Sequence, residues 1–176
     1  MTGGGKLPPP VSDTPWSARF VMQSLEVLPV FLQDGRVCWL QPEHAGSLRL
    51  GWPTSAQPSQ VVTEALAAYG IVPRLVHSTS WRHEGQQVVL TYVAVLPGEQ
   101  APHGPGAPLV PRQLGRVELA RGDATTPPAR IDVDQVLEHA LRHLSWLAKD
   151  DPVVAEELRD WAGVLGAYEP APFRSL

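Results

Sequence analysis

The hydrophobic period changes once along this chain, and that change limits the possible folds more than any other feature. From Phe20 to Leu96 apolar residues come in strand-length runs rich in β-branched and aromatic side chains, broken by a single stretch at helical spacing. From Asp132 to Tyr168 they recur every three or four residues instead. A chain written this way lays down a sheet first and then a helical layer whose apolar face must cover it. Its 176 residues suffice for one ordinary core but not for two domains.

Turn chemistry divides the sheet region. Phe20 to Leu32 and Arg36 to Leu40 flank Asp34-Gly35, a hairpin signal. Ser47 to Leu50 reads as a shorter strand ahead of the turn Gly51-Trp52-Pro53. Arg74 to Trp81 and Gln87 to Leu96 form a second hairpin through His83-Glu84-Gly85-Gln86, and Arg116 to Leu119 reads as an added edge strand. Between the strand groups Ser59 caps a helix with the apolar stripe Val61, Val62, Ala65, Leu66 and Tyr69, and Gly70 stands where a left-handed terminal residue is wanted. Further on, Asp132 and Gln135 make a capping box before Val136, Leu137, Ala140, Leu141, Leu144 and Leu147. Asp151 then caps a partner helix with Pro152 at its first position and Val154, Leu158, Trp161, Leu165 and Tyr168 along one side, which predicts a helix hairpin.

The remaining stretches are punctuation. Residues 1–14 read as a flexible arm, 15–170 as one domain and 171–176 as a tail. Pro97 to Pro111, with five prolines and three glycines, is a long loop, and Ala120 to Arg130 is a third break in which Arg121-Gly122-Asp123 is a chance match to an adhesion tripeptide. The first fifteen residues carry no apolar core of a signal peptide, and no stretch reaches the ~20 apolar residues of a membrane span, so a soluble cytoplasmic protein is expected. The single cysteine, Cys38, lies in the apolar run Val37 to Leu40 and reads as a buried, inert thiol. With 14 Lys+Arg against 18 Asp+Glu the net charge is −4, which disfavours bulk binding of nucleic acid.

The order of strands, helix, strands and helix pair, together with the run Thr63-Glu64-Ala65-Leu66-Ala67-Ala68-Tyr69-Gly70-Ile71, resembles a Nudix domain. The signature helix of that family reads Arg-Glu, apolar, any residue, Glu-Glu, any residue, Gly, apolar. Glu64, Ala65, Gly70 and Ile71 match by type, Thr63 replaces the Arg, Ala67 and Ala68 replace the adjacent Glu pair, and the opening glycine falls at Arg49. The resemblance implies an α/β/α sandwich with a mixed sheet, one central helix and a C-terminal helix hairpin. It also implies magnesium-dependent hydrolysis of a nucleoside diphosphate derivative, with Glu64 as the one retained signature carboxylate. Cleaving a phosphoanhydride needs a cation held by several oxygen ligands, and Glu64 alone does not hold one well. Loop carboxylates at Glu43, Glu84, Glu99 and Asp123 are the available supplements.

A second group with chemical content is His77-Ser78-Thr79-Ser80-Trp81-Arg82-His83. Strand parity puts His77, Thr79, Trp81 and His83 on one side, with Ser78, Ser80 and Arg82 on the other. In a pocket Trp81 would offer a stacking surface and His77 a hydrogen-bonding or acid/base group; in a core the same strand is ordinary packing. Trp39 and Trp52 carry the same two readings, with Trp52 the more exposed. Arg49, Arg74 and Arg82 would make an anion site if they converged. His139 and His143, four apart on one helix face, have the spacing that lets two imidazoles share a zinc ion, yet Ala140 stands where a metalloprotease helix has Glu and no third ligand is near in sequence. They read as packing residues, and no metal site is assigned to them.

The leading expectation is a degenerate Nudix-like domain without metal-dependent hydrolysis, acting as a small-ligand (nucleotide-like) or protein-binding module, its ligand residues drawn from His77, Trp81, Arg82, Trp52 and Arg49. No cofactor is expected. The alternatives are a divergent magnesium-dependent hydrolase of a nucleoside diphosphate derivative using Glu64, and a structural partner in a homodimer or hetero-complex.

Overall fold

The computed structural model describes residues 22–53, 55–85, 87–100, 102, 108–119, 128 and 130–169. The predicted arm at 1–14, the strand start at Phe20, the adhesion tripeptide with Asp123, and the tail at 171–176 lie outside the described residues.

Strand β1 (Met22–Gln33) and β2 (Arg36–Pro42) join at Asp34 and Gly35, both at positive φ (51° and 71°), the backbone that a tight hairpin turn with the sheet's own twist demands. The length of β1 lets it serve three neighbours. Its C-terminal half pairs antiparallel with β2 (Val30 opposite Trp39), and its N-terminal half pairs antiparallel with β3 (Leu48–Gly51; Glu26 opposite Arg49). Along its other edge it runs parallel to β5 (Gln87–Val95), with Glu26 opposite Thr91 and Val30 opposite Val95. Strand β4 (Leu75–Glu84) closes one side of the sheet against β5, and β6 (Leu109–Gln113) closes the other against β2.

Alternation along these strands builds two cores. Leu25, Val27 and Phe31 point to the face covered by α1 (Pro58–Ala68), where they meet Val62, Leu66 and Ile71. Leu28 and Val30 point the other way, against Leu137, Leu141 and Leu144 of α2 (Val133–Asp150) and Trp161 beyond it. The result is the mixed α/β/α sandwich expected from the sequence. Trp39 is a core residue, fully buried on the α2 face. Cys38 is buried, and that burial pushes its thiol pKa up, as an inert thiol requires.

Four local expectations are corrected. Residues 114–119 form no strand; the edge strand is β6, where Pro111 is tolerated because an edge position need not donate to the ladder. Arg116 instead places its guanidinium 4.8 Å from the centre of the Tyr168 ring and donates to the Ala167 carbonyl. Helix α1 starts earlier than Ser59, with Gln57 at the cap position and Pro58 as its first residue, and the Ser59 carbonyl accepts the Thr63 hydroxyl. The second arm of the helix hairpin keeps the predicted buried stripe but is not continuous. It is α3 (Pro152–Glu157), a tighter turn over Arg159–Trp161, and α4 (Ala162–Leu165), because the Trp161 N–H takes the carbonyl three residues back at Leu158. The fourth correction, a bulge in β4, bears on the site.

Candidate site: an arginine-lined cavity on the helix-hairpin face

Three residues from three strands stand abreast on the α2 face: Arg49 on β3, Glu26 on β1 and Thr91 on β5. A fourth, Arg82 on β4, joins them because the ladder slips at Thr79. The pairing passes from Ser78 opposite Tyr92 to Ser80 opposite Thr91, so Arg82 comes opposite Val89 and shares the face of Thr91. That bulge overturns the predicted grouping. His77, opposite Val93, lies on the α2 face, whereas Trp81, opposite Leu90, lies on the α1 face.

Glu26 is 1% exposed, and a buried carboxylate must be paired. Its Oε2 accepts Arg82 Nη1 (2.6 Å) and the Thr91 hydroxyl (3.0 Å). Its Oε1 accepts Arg82 Nη2 (2.9 Å) and the Ser47 hydroxyl (2.8 Å), and forms an ion pair with Arg49 Nη2 (2.9 Å). Burial pushes the Glu26 pKa up, but the Arg82 hydrogen bonds and charge, with Arg49 and Ser47, outweigh it and hold the carboxyl below its ordinary value.

Arg82 is saturated as well. Nη1 serves Glu26 and the Thr91 oxygen, Nη2 serves Glu26 and Glu84, and Nε serves Glu84. The Glu84 Oε1 is the meeting point of both guanidinium groups, 2.8 Å from Arg82 Nε, 2.6 Å from Arg82 Nη2 and 3.0 Å from Arg49 Nη2. Unlike Glu26 it is open to solvent, at 42% exposure. These groups line an open cavity of about 440 Å³ whose wall also includes Ile131 and Val133 at the start of α2.

The other sequence candidates lie elsewhere. Arg74 forms a two-pronged ion pair with Asp160 (2.7 and 2.9 Å) on the C-terminal turn. The Trp52 indole N–H donates to the Ala56 carbonyl (2.8 Å), and the ring packs against the α1-side core. Trp81 is 67% exposed, edge-on to His83. His77 faces His143 across the sheet-helix junction. Sequence reasoning passed over Glu26, Ser47 and Thr91. The available signal was a charged residue inside the apolar run of β1, which has to find a buried partner.

Helix α1 carries the signature-like run on the opposite face of the sheet. Glu64 is exposed and accepts from Gln60 one turn earlier (2.8 Å); Ala67 and Ala68 are exposed and bring no oxygen ligand. Gly70, at φ 73°, and Ile71 have a local purpose: the Gly70 N–H bonds to Ala67, the Ile71 N–H reaches back to Leu66, and Ile71 is buried beside it. That is a Schellman stop, which accounts for two of the four matched positions without reference to chemistry. Glu43 is beside His44, Glu99 accepts from Gln33, and Glu84 belongs to the arginine cavity. Among the described residues no group of three or more His, Cys, Asp or Glu stands together in a metal-holding arrangement. Among the described residues no helix is long and apolar enough to cross a membrane.

No protein-family model and no curated protein matches the chain. Solved structures do. A MutT/nudix family protein from Enterococcus faecalis superposes with a TM-score of 0.56 at 13% identity, covering 78% of this chain and 67% of that one. Shewanella oneidensis NrtR gives a TM-score of 0.49 at 15% identity over 72% of this chain and 65% of that one. The NUDIX domain of the same protein, complexed with ADP ribose, gives 0.40 at 16% identity over 52% of this chain and 71% of that one. The Enterococcus structure shows that this chain has the Nudix-type fold, and at that identity the likeness is one of architecture.

Proposed function

We propose that this Nudix-type domain binds a small anionic, nucleotide-like ligand in the arginine cavity and does not hydrolyse phosphoanhydrides through the helix that occupies the signature position. The observation that carries the reading is the convergence of Arg49 and Arg82 on one solvent-open oxygen, Glu84 Oε1. Two guanidinium groups already grip an oxyanion there, supplied by the protein itself. A phosphate or carboxylate oxygen of a ligand suits the same planar donors, and rotation of the Glu84 side chain toward solvent makes room for it. Glu26 remains behind, buried and fully bonded, and holds both arginines in register. The cavity volume of about 440 Å³ falls within the range of small-molecule sites.

The magnesium that the fold family implies does not fit α1. Glu64 is tied to Gln60, positions 67 and 68 are alanine, and the arginine cavity is on the other face of the sheet. Among the described residues a cation at this helix would have one carboxylate to hold it, too few for a hard divalent ion.

Calorimetric titration with inorganic pyrophosphate and with ADP, each with and without magnesium and followed by product analysis, tests the reading. Wild type binds without magnesium and forms no product, Arg49→Ala binds more weakly, and Glu84→Gln binds about tenfold or more tightly because an internal competitor loses its charge. Magnesium-dependent product that disappears in Glu64→Gln would overturn it.

A further inference from the structure

On the α2 face but apart from the arginine cavity, His77 of β4 meets His143 of α2. Their Nε2 atoms are 3.1 Å apart and hydrogen-bonded, the N–H of one ring donating to the bare nitrogen of the other, with the ring centroids 5.1 Å apart and the planes inclined at 27°. The centroids are closer than a collinear nitrogen-to-nitrogen arrangement over that distance would place them, so the two nitrogens meet at an angle. His139, which the helical spacing pairs with His143, is instead hydrogen-bonded to the Thr79 backbone at the bulge. The imidazoles that converge are therefore contributed by two elements far apart in sequence.

We propose that His77 and His143 form a two-imidazole binding site for a divalent transition-metal ion, copper(II) foremost. Two ligands at ~2.0–2.1 Å from one ion, at angles between square and tetrahedral, have nitrogens ~2.9–3.4 Å apart, and the observed separation falls inside that interval. Each ring ligates through Nε2 as neutral imidazole, so the ring that donates in the metal-free pair carries its proton on Nδ1 when the ion is bound. An all-nitrogen pair suits copper, nickel and zinc, with copper favoured by the Irving–Williams order, and it does not suit magnesium or calcium, which take oxygen. Cys38 belongs to the core on the other side of the sheet and does not contribute a thiolate. With no third protein ligand grouped there among the described residues, the remaining positions on the ion go to water or to a small exogenous ligand. Trp146, with its ring edge-on to His143 at 5.5 Å and 46% exposed, is a built-in reporter, because bound copper(II) quenches a nearby indole.

The test is titration of the full chain with copper(II) and nickel(II), read by tryptophan fluorescence and, for copper, by electron paramagnetic resonance. The expected result is one equivalent bound, quenching of fluorescence, and hyperfine coupling to two imidazole nitrogens. His77→Gln and His143→Gln each weaken binding at least about tenfold, whereas His44→Gln, at an exposed histidine, leaves it unchanged. A wild-type copper spectrum without coupling to two imidazoles overturns the proposal without recourse to any variant. So does copper binding of undiminished strength in both His77→Gln and His143→Gln.

Discussion

The Glu26 carboxylate receives both terminal nitrogens of Arg82, Nη1 at 2.6 Å on Oε2 and Nη2 at 2.9 Å on Oε1, and joins a central strand to an edge strand across the intervening β5. Removing one partner of such a pair leaves the other charge partly desolvated. Glu26→Gln should destabilise the fold by about 3 kcal/mol, the low end of what breaking a buried pair costs, because Arg82 keeps Glu84. Chemical denaturation of the variant against wild type checks this, and a loss below about 1 kcal/mol would contradict the pairing.

Acid should act in two stages. His77, His139 and His143 all have pKa values lowered by burial, so their unfolded forms take up protons first; the stability tied to their neutral state is complete above 6.5 and declines as pH falls below it. Glu26 and Glu84 are held below 4.5, burial being outweighed by the arginines, so their contribution is present above 4.5 and is lost as pH falls through their folded values. Melting temperature measured across pH should show both declines, the upper one reduced in His143→Gln and the lower one in Glu26→Gln.

Glu64 is exposed and its carboxylate is satisfied within its own helix. Glu64→Gln should change stability by less than about 0.5 kcal/mol and leave pyrophosphate affinity at the arginine cavity unchanged. Calorimetry on the variant decides this, and weakened binding would move the ligand to the α1 face.

The capping box of α2 is formed as the sequence predicts, with the Asp132 N–H donating to the Gln135 side chain and the Asp132 carboxylate accepting from the N3 backbone N–H. Ile131 and Val133, on either side of that cap, line the cavity. Asp132→Ala should cost about 1 kcal/mol of stability and weaken ligand binding in parallel, because the wall frays with the helix. Unchanged affinity in a destabilised variant would exclude α2 from the site.

Features encoded within a few residues were legible. The Asp34-Gly35 hairpin, the buried stripe from Val154 to Tyr168, the capping box and the stop at Gly70 each depend on neighbours along the chain. Arg49 and Arg82 stand out in the sequence as hydrogen-bond donors to an anion, but Arg74 groups with them, and nothing local separates the three. The parity rule failed for Trp81 because the bulge at Thr79 is a property of the pairing between β4 and β5, with no local signature in Ser-Thr-Ser.

The sequence by itself determined the elements and their layering: apolar period decides helix or strand, and amphipathic faces decide what must be covered. Tertiary structure decided the chemistry. Glu26, Arg49, Arg82 and Thr91 meet only because β1 pairs with β3 on one side and β5 on the other in one register, and a slip of a single residue turns a side chain to the opposite face. His77 and His143 come together for the same reason, one on an edge strand and the other on a helix laid over it. Such convergences are set by long-range pairing and packing, which no local pattern of residues specifies.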